Sequence, residues 1–516
     1  MENKLQKEEA ETGKTPECKR KPVSTATIPV NAVLVFLAVS IISSVIIDVL
    51  PIKHRFWNWE QKNVTTRAKF CTEDKTYAIY GKSKNEDHLI HVVNVLERLG
   101  YSRVNLENNW NLLWAHDYPF IKMPQRMKSL QKHQVVNHFP GCGFITNKVD
   151  LSTSELPFLP RAFRLPSQKE DFLAYSRANP SALFVEKHNE HRHIVIRPPE
   201  EIDLNSNNSF VQEYIQNPFL VDGHKFDIGV YVVITSVNPL RIYMYSGDIL
   251  FRYCPVQYHP FDAANIDKYV VGDDYLPTWQ VPSLKKYFSQ FGGSMRSAFD
   301  AYVRDQQMDP STIWQQVEDI IRRTILSKER DIVNILRSYK TQNFFDLMRF
   351  DLIVDQNLKV FLMEANMSPN LSSAHFKPNS ILYEQILYNV LNLVGIGSPI
   401  KQTEDCRSNA PNEMITTEQN LSTNLNECAA RGCDRSCNKP GCDLCLPCLR
   451  GSEYEMLYRA HREHLHRGSM KRLFPPPFLR PDTIVIENEV QNMTKLNSWM
   501  TRWFYHKCLY DNSWCH

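Results

Sequence analysis

The sequence lacks an excess of charge of either sign. Its 60 lysines and arginines nearly balance 57 aspartates and glutamates, which leaves +3 over 516 residues. A protein that grips nucleic acid needs a strongly basic domain. No nucleic acid partner is therefore expected, and any basic patch is local. Cysteine is nearly missing from the middle of the chain: Gly143 to Asp405 contains only Cys254, whereas six of the 13 cysteines fall between Cys428 and Cys448. The cysteine count by itself fixes no redox compartment. No repeat of fixed period is present, which excludes a solenoid or an array of copies.

What is there is ordinary for a globular protein: 42% hydrophobic and 23% charged residues,. A chain this long exceeds one core and has room for two or three domains with linkers.

A polar stretch, 1–27, ends near Lys19-Arg20-Lys21 and is followed by an apolar run over 28–50 that no charge interrupts before Asp48. Its length approaches the ~20 residues of a bilayer-spanning helix. It lacks both the polar face of a core helix and the small-residue cleavage site of a signal peptide. A single-pass membrane anchor over 28–50 is expected, followed by a juxtamembrane linker over 51–74. Basic residues flank it on both sides, so the positive-inside rule leaves open which side the rest of the chain occupies. Six Asn-x-Ser/Thr sequons (Asn63, Asn207, Asn366, Asn370, Asn420, Asn492) are compatible with a lumenal side and do not establish it,.

Beyond the anchor the pattern is α/β (α+β). Thr76–Tyr80 reads as a strand, and Leu89, Val92, Val93, Val95 and Leu96 give His88–Leu99 a helical stripe closed by Gly100,. Val230–Ile234 and Arg241–Tyr245 flank Ser236-Val237-Asn238-Pro239 as a hairpin, and Leu352–Val354 and Val360–Met363 flank Asp355-Gln356-Asn357 as another,. Helices are expected around Trp314–Ile325 and Ile381–Val394. A catalytic region over 75–396 gives way to a polar linker (397–427), a cysteine-rich segment (428–448), and a basic helical region with a C-terminal tail (449–516).

Three oxygen-bearing residues stand out. Asp351 lies on the first strand of the second hairpin; Glu364 and Asn366, two apart on the next strand, face one side,. Such a set suits Mg²⁺, a hard ion shared with nucleotide phosphates. The competing reading is that they are merely solvated, but the flanking strands are apolar and a buried acid needs a counter-charge. Lys225 and Asp227 also share a face, an arrangement that fits a nucleotide or a plain ion pair,.

These segments, Val211-Gln212-Glu213-Tyr214-Ile215, Asp222-Gly223-His224-Lys225-Phe226-Asp227 and Phe345-Asp346 through Asp351, Glu364, Asn366 and Pro369, resemble the tubulin–tyrosine ligase-like family. Val136-Asn137-His138-Phe139-Pro140-Gly141, Lys148 and Leu165-Pro166 extend the likeness, which covers roughly 75–396. The resemblance implies an ATP-grasp fold with ATP held between two α/β subdomains. It implies that Lys187 and Lys225 contact phosphates, that Gln212, Glu213, Tyr214 and Ile215 form a hinge against adenine, and that Asp227 sits near the ribose. It places Asp351, Glu364 and Asn366 on Mg²⁺, with Lys148 and Arg252 adding positive charge. The implied reaction converts a protein carboxylate to an acyl phosphate, which the amine of an amino acid attacks. Free glutamate and tubulin C-terminal tails are the implied partners, with a cytosolic catalytic region if tubulin is the substrate.

Three departures from the family pattern occur. Its Asp-Leu-Arg becomes Asp227-Ile228-Gly229, without an arginine expected near the acyl phosphate. The loop His188-Asn-Glu-His191-Arg192-His193-Ile194 carries no glycine to cradle phosphate, and no His-Leu-Thr-Asn precedes Tyr269-Val270-Val271-Gly272. A catalytically dead ATP-grasp scaffold at a membrane is therefore one alternative, and a lumenal ligase with a non-tubulin substrate is another. The Cys428–Cys448 cluster is open to Zn²⁺ or to disulfides. The basic stretch Tyr454–Arg472 is either a solvated face or a dock for an acidic tail,.

Overall fold

The computed structural model describes residues 75–81, 87–188, 194–207, 209–397, 417–423, 425–479 and 485–516, and all of these belong to one unit. The expected anchor over 28–50 and the glycine-free loop at 189–193 lie outside the described residues. No helix among the described residues is long and apolar enough to cross a membrane.

Three sheets organise the unit. In the first, β1 (Thr76–Tyr80), β2 (Ser102–Arg103), β3 (Leu112–Ala115) and β4 (Val135–Val136) run parallel in the order β2-β1-β3-β4. Helix α1 (Ile90–Arg98) buries Val92, Val95 and Leu96 at the spacing read from sequence. Gly100 ends it at φ +81°, where a Cβ would be strained,. A short helix, α2 (Lys148–Ser152), begins where the Asn147 side chain accepts from the Asp150 amide at 3.0 Å,.

The second sheet is antiparallel, β5 (Ala162–Leu165), β6 (Phe184–His188), β7 (Val195–Arg197) and β8 (Ser209–Glu213) in the order β5-β8-β6-β7. Helix α3 (Lys169–Ala178) sends Phe172 into a small core with Phe163, Phe184 and Val211.

The third and largest sheet is built on β9 (Phe226–Val237). It pairs with β10 (Leu240–Tyr245), β11 (Leu250–Tyr253) and β13 (Asp346–Val354); β12 (Leu276–Pro277) and β14 (Val360–Asn366) extend it. Every residue of β13 is buried, the charged Asp346, Arg349 and Asp351 along with the apolar ones, so the strand shows no solvent-facing alternation,. Both expected hairpins are present, β9–β10 and β13–β14. The helix expected around Trp314–Ile325 is the middle of α4 (Ser311–Leu336), whose stripe Ile313, Val317, Ile320, Ile321, Thr324 and Ile332 is buried. The next, α5 (Asn379–Leu393), matches the helix expected at Ile381–Val394.

The C-terminal region differs from expectation. It is no separate appendage: β15 (Met470–Phe474) pairs antiparallel with β10 and so completes the third sheet. The basic stretch forms α6 (Gly451–His466), which buries Leu457, Ala460, His461, Glu463 and His464. Packing against the sheet and against α7 (Lys495–Tyr510) takes much of the expected docking face out of solvent. Trp499, Trp503, Phe504 and Trp514 form a second core there with Leu457. Arg472 is fully buried, donating to the carbonyls of Pro475 and Trp514, each at 2.9 Å.

The six clustered cysteines form three disulfides, Cys428–Cys445, Cys433–Cys442 and Cys437–Cys448, and Cys508–Cys515 makes a fourth. Zinc would need these sulfurs as thiolates. In this structure all six sulfurs are paired with one another, as the disulfide alternative expects.

Candidate active site

Between the second and third sheets lies a cleft of about 540 Å³. Its second-sheet wall carries Val185, Lys187 and the segment Gln212–Ile215. The facing wall carries Lys225, Asp227, Arg252, Asp351, Ile353, Met363 and Glu364, with Lys148 at the start of α2. Every residue singled out from sequence, except Asn366, lines this one cleft. Asn366 lines the adjoining cavity, which it shares with Lys148, and touches the same carboxylates.

The strand registers produce this convergence. Asp351 on β13 stands opposite Glu364 on β14 and, on its other side, opposite Gly229 of β9. The Asn366 amide nitrogen lies 3.2 Å from Asp351 Oδ2 and 3.1 Å from Glu364 Oε1. Two carboxylates and an amide therefore meet at one place, as the two-residue spacing requires. The two carboxylates are the oxygen chemistry that Mg²⁺ takes, and Asn366 meets them here through its amide nitrogen, as a donor.

Charge pairing in the cleft is selective. Arg252 donates to both oxygens of Asp227 at 2.8 and 2.7 Å and reaches Asp351 at 3.3 Å. Lys148 Nζ sits 2.8 Å from Glu364 Oε2. Burial alone would raise the Glu364 carboxyl; Lys148, aided by Asn366, outweighs it and brings the carboxyl down to about 2,. Burial also pushes the Asp351 carboxyl up, opposed by Arg349 and Arg252.

Two cations are held differently. Lys187 Nζ donates to Gln212 Oε1 at 2.8 Å, and Lys225 Nζ to the Tyr269 carbonyl at 2.8 Å. Both partners are neutral, and neither lysine forms an ion pair among the described residues. Desolvation lowers the Lys187 ammonium to about 8. The Gln212 side-chain nitrogen is buried with no hydrogen-bond partner. Two desolvated ammonium groups without contacting carboxylates call for an anion, and an orphaned amide donor calls for an acceptor. A nucleotide with its phosphates toward Lys187 and Lys225 answers both, so the residues present fit Mg-ATP.

The remaining hinge residues take other contacts. Glu213 accepts from the Tyr175 hydroxyl at 2.8 Å, while the Tyr214 ring packs against Phe261 and Tyr269. The segment Tyr269–Gly272, which shows no family motif before it, still lines the cleft. Sequence reasoning missed Arg349, which donates to both oxygens of Asp351 at 2.6 and 2.7 Å. The signal was available: Arg349 precedes Asp351 by two on a strand and so shares its face.

Comparison with known proteins identifies the family. The tubulin-tyrosine ligase family matches residues 125–406, more than half of the chain. The chain belongs to that family. A probable tubulin polyglutamylase ttll-15 of Caenorhabditis elegans is 41% identical over 450 residues, covering 84% of this chain and 85% of the relative. The mouse tubulin polyglutamylases TTLL13 and TTLL6 are 30% and 29% identical, each over 58% of this chain. The aligned parts make up only 39% and 38% of those longer proteins. The tubulin-tyrosine ligase family match contains the cleft from Lys148 to Asn366 but stops before α6, β15 and all four disulfides.

Proposed function

We propose that the chain is an ATP- and Mg²⁺-dependent ligase of ATP-grasp type that adds glutamate to a protein carboxylate, as a tubulin glutamylase or polyglutamylase. One observation carries the reading: Lys187 and Lys225, held among the described residues by neutral groups, share a cleft with Asp351 and Glu364, which Asn366 contacts from the adjoining cavity. Bound Mg-ATP would supply the phosphoryl group that activates an acceptor carboxylate for attack by an amine. The chain's own residues bind and orient. Lys187 and Lys225 hold negative charge, Gln212 offers a donor at the cleft wall, and Lys148 keeps Glu364 ionised. Membership of the family and the names of the relatives support tubulin tails as acceptors and glutamate as the added group. The test is mass spectrometry of tubulin incubated with the chain, Mg-ATP and glutamate. Tails gaining whole glutamyl units support the reading. The absence of both glutamyl addition and ADP formation with every acidic acceptor tried contradicts it.

A second reading concerns the compartment. Four disulfides favour an oxidising environment for the described unit,. Sequon residues Asn370, Asn420 and Asn492 are exposed. With the anchor expected at 28–50, this favours a single-pass protein whose ligase unit faces the lumen. Protease protection and glycosidase sensitivity in sealed vesicles decide between the two sides. Protected, glycosylated protein supports the lumenal side; digested, unglycosylated protein supports the cytosolic one.

A further inference from the structure

Gly229 and Arg349 occupy neighbouring strands and one volume. Gly229 lies on β9 opposite Asp351 of β13, and Arg349 is two residues before Asp351 on the same face. A Cβ built on Gly229 would stand 3.0 Å from Arg349 Cδ and 3.5 Å from its Nε. A 3.0 Å contact is tighter than most real Cβ contacts, so a side chain at 229 requires the arginine stem to shift. The missing side chain on β9 leaves the arginine of β13 room to lie there.

The Arg349 guanidinium is buried and makes two parallel bonds to Asp351, at 2.6 and 2.7 Å. Paired bonds of this kind fix orientation as well as charge. Arg349 does not line the cleft, and its bonds lead to the cleft through Asp351. Arg252 reaches the same carboxylate from β11 at 3.3 Å and is itself tied to Asp227. Two guanidiniums and two carboxylates thus form one network beneath the oxygen cluster.

We propose that Arg349 is a positioning residue that replaces, from the adjacent strand, the guanidinium missing at Gly229, and that it holds the Asp351 carboxylate in place for the chemistry of the cleft. This rests on the ligase reading for its function and on contacts alone for its geometry. On this account Gly229 is a compensated exchange and not the mark of a dead enzyme.

The exchange can be tested as a cycle in the full-length chain. The variants are Arg349→Gly, Gly229→Arg, the double variant Gly229→Arg/Arg349→Gly, and Arg349→Lys. Each is measured for ligation kcat, Mg-ATP affinity and unfolding midpoint. Each of the first two single changes is expected to lower kcat by about 10²-fold, the scale of losing one preorganised electrostatic group. The double variant is expected to recover at least ~10-fold of that loss, because neighbours in one network do not add. Arg349→Lys retains a cation but cannot form the paired bonds, so its kcat should fall between wild type and Arg349→Gly at a near-native midpoint. A double variant no better than Arg349→Gly, a wild-type kcat in Arg349→Gly, or losses that follow only the unfolding midpoint would overturn the proposal. Should the wild type show no ligation, the ligase reading fails by itself; the same order of variants in Mg-ATP affinity then supports the exchange, and its absence overturns it.

Discussion

Glu463 on α6 takes two bonds from the guanidinium of Arg241 on β10, at 2.7 and 2.9 Å, and both side chains are buried. The same carboxylate accepts from the Thr235 hydroxyl at 2.9 Å and the Tyr243 hydroxyl at 3.2 Å. A residue beyond the family match thus closes a polar network on the central sheet inside it. Replacing Glu463 by alanine leaves Arg241 as a buried charge without its partner. The expected cost is about 3–5 kcal/mol of unfolding free energy, read from denaturant titration. A loss within ordinary surface-mutation scatter would show that the C-terminal region is dispensable to the fold.

Truncation tests the same point differently. Ending the chain before α6 removes β15 from the edge of β10 and the Asn497 side chain, which accepts from the Leu240 amide at 2.8 Å and donates to Glu329 at 2.8 Å. A chain stopped at 397 is expected to be insoluble or aggregated, since it exposes a long unpaired strand. A soluble, cooperatively folding truncate would contradict this.

The disulfide pattern is checked by digestion without reductant. Linked peptides should contain Cys428 with Cys445, Cys433 with Cys442, Cys437 with Cys448 and Cys508 with Cys515. Reduction is expected to lower stability by about 2–4 kcal/mol for each bridge that matters to the C-terminal core. Free thiols at these positions in the denatured protein, or stoichiometric zinc, would favour the zinc alternative.

Legibility from sequence followed periodicity and spacing. The strand Thr76–Tyr80, both hairpins and helix α5 were readable because their apolar patterns are local. The oxygen cluster was readable because a two-residue spacing fixes a strand face. Arg349 was passed over because a lone arginine amid Leu347, Met348 and Phe350 gives no sign of its partner until β9 is placed beside it. The role of Glu463 depends on a strand pairing that joins residues 470–474 to 242–245, more than two hundred positions apart. No local pattern encodes that distance. The cysteines were visible as a cluster, but only three dimensions separated pairing from metal binding.

The phosphate-binding role proposed for Lys187 predicts an alkaline limit on ligand binding. Desolvation lowers its ammonium to about 8, so the free protein loses this charge as pH rises through that value. Anion affinity should be flat below about pH 8 and decline above it, with bound phosphate moving the decline upward. Lys187→Arg should remove the decline, because arginine stays protonated throughout. An affinity unchanged to pH 10 in the wild type would remove Lys187 from phosphate binding.

Glu364→Gln preserves shape and removes one carboxylate charge from the cluster, including the charge that Lys148 faces at 2.8 Å. Ligation is expected to fall by about 10²-fold or more in a chain that stays folded. Full activity in this variant would mean that the cluster does not hold the ion.

The most direct test is a calorimetric titration of Mg-ATP into the full-length chain. One site per chain is expected, weakened about 10–100-fold by Lys187→Ala, the range for losing a charged hydrogen bond, and weakened again when EDTA replaces Mg²⁺. No heat of binding, or an affinity indifferent to both Lys187 and the metal, would contradict the assignment of this cleft.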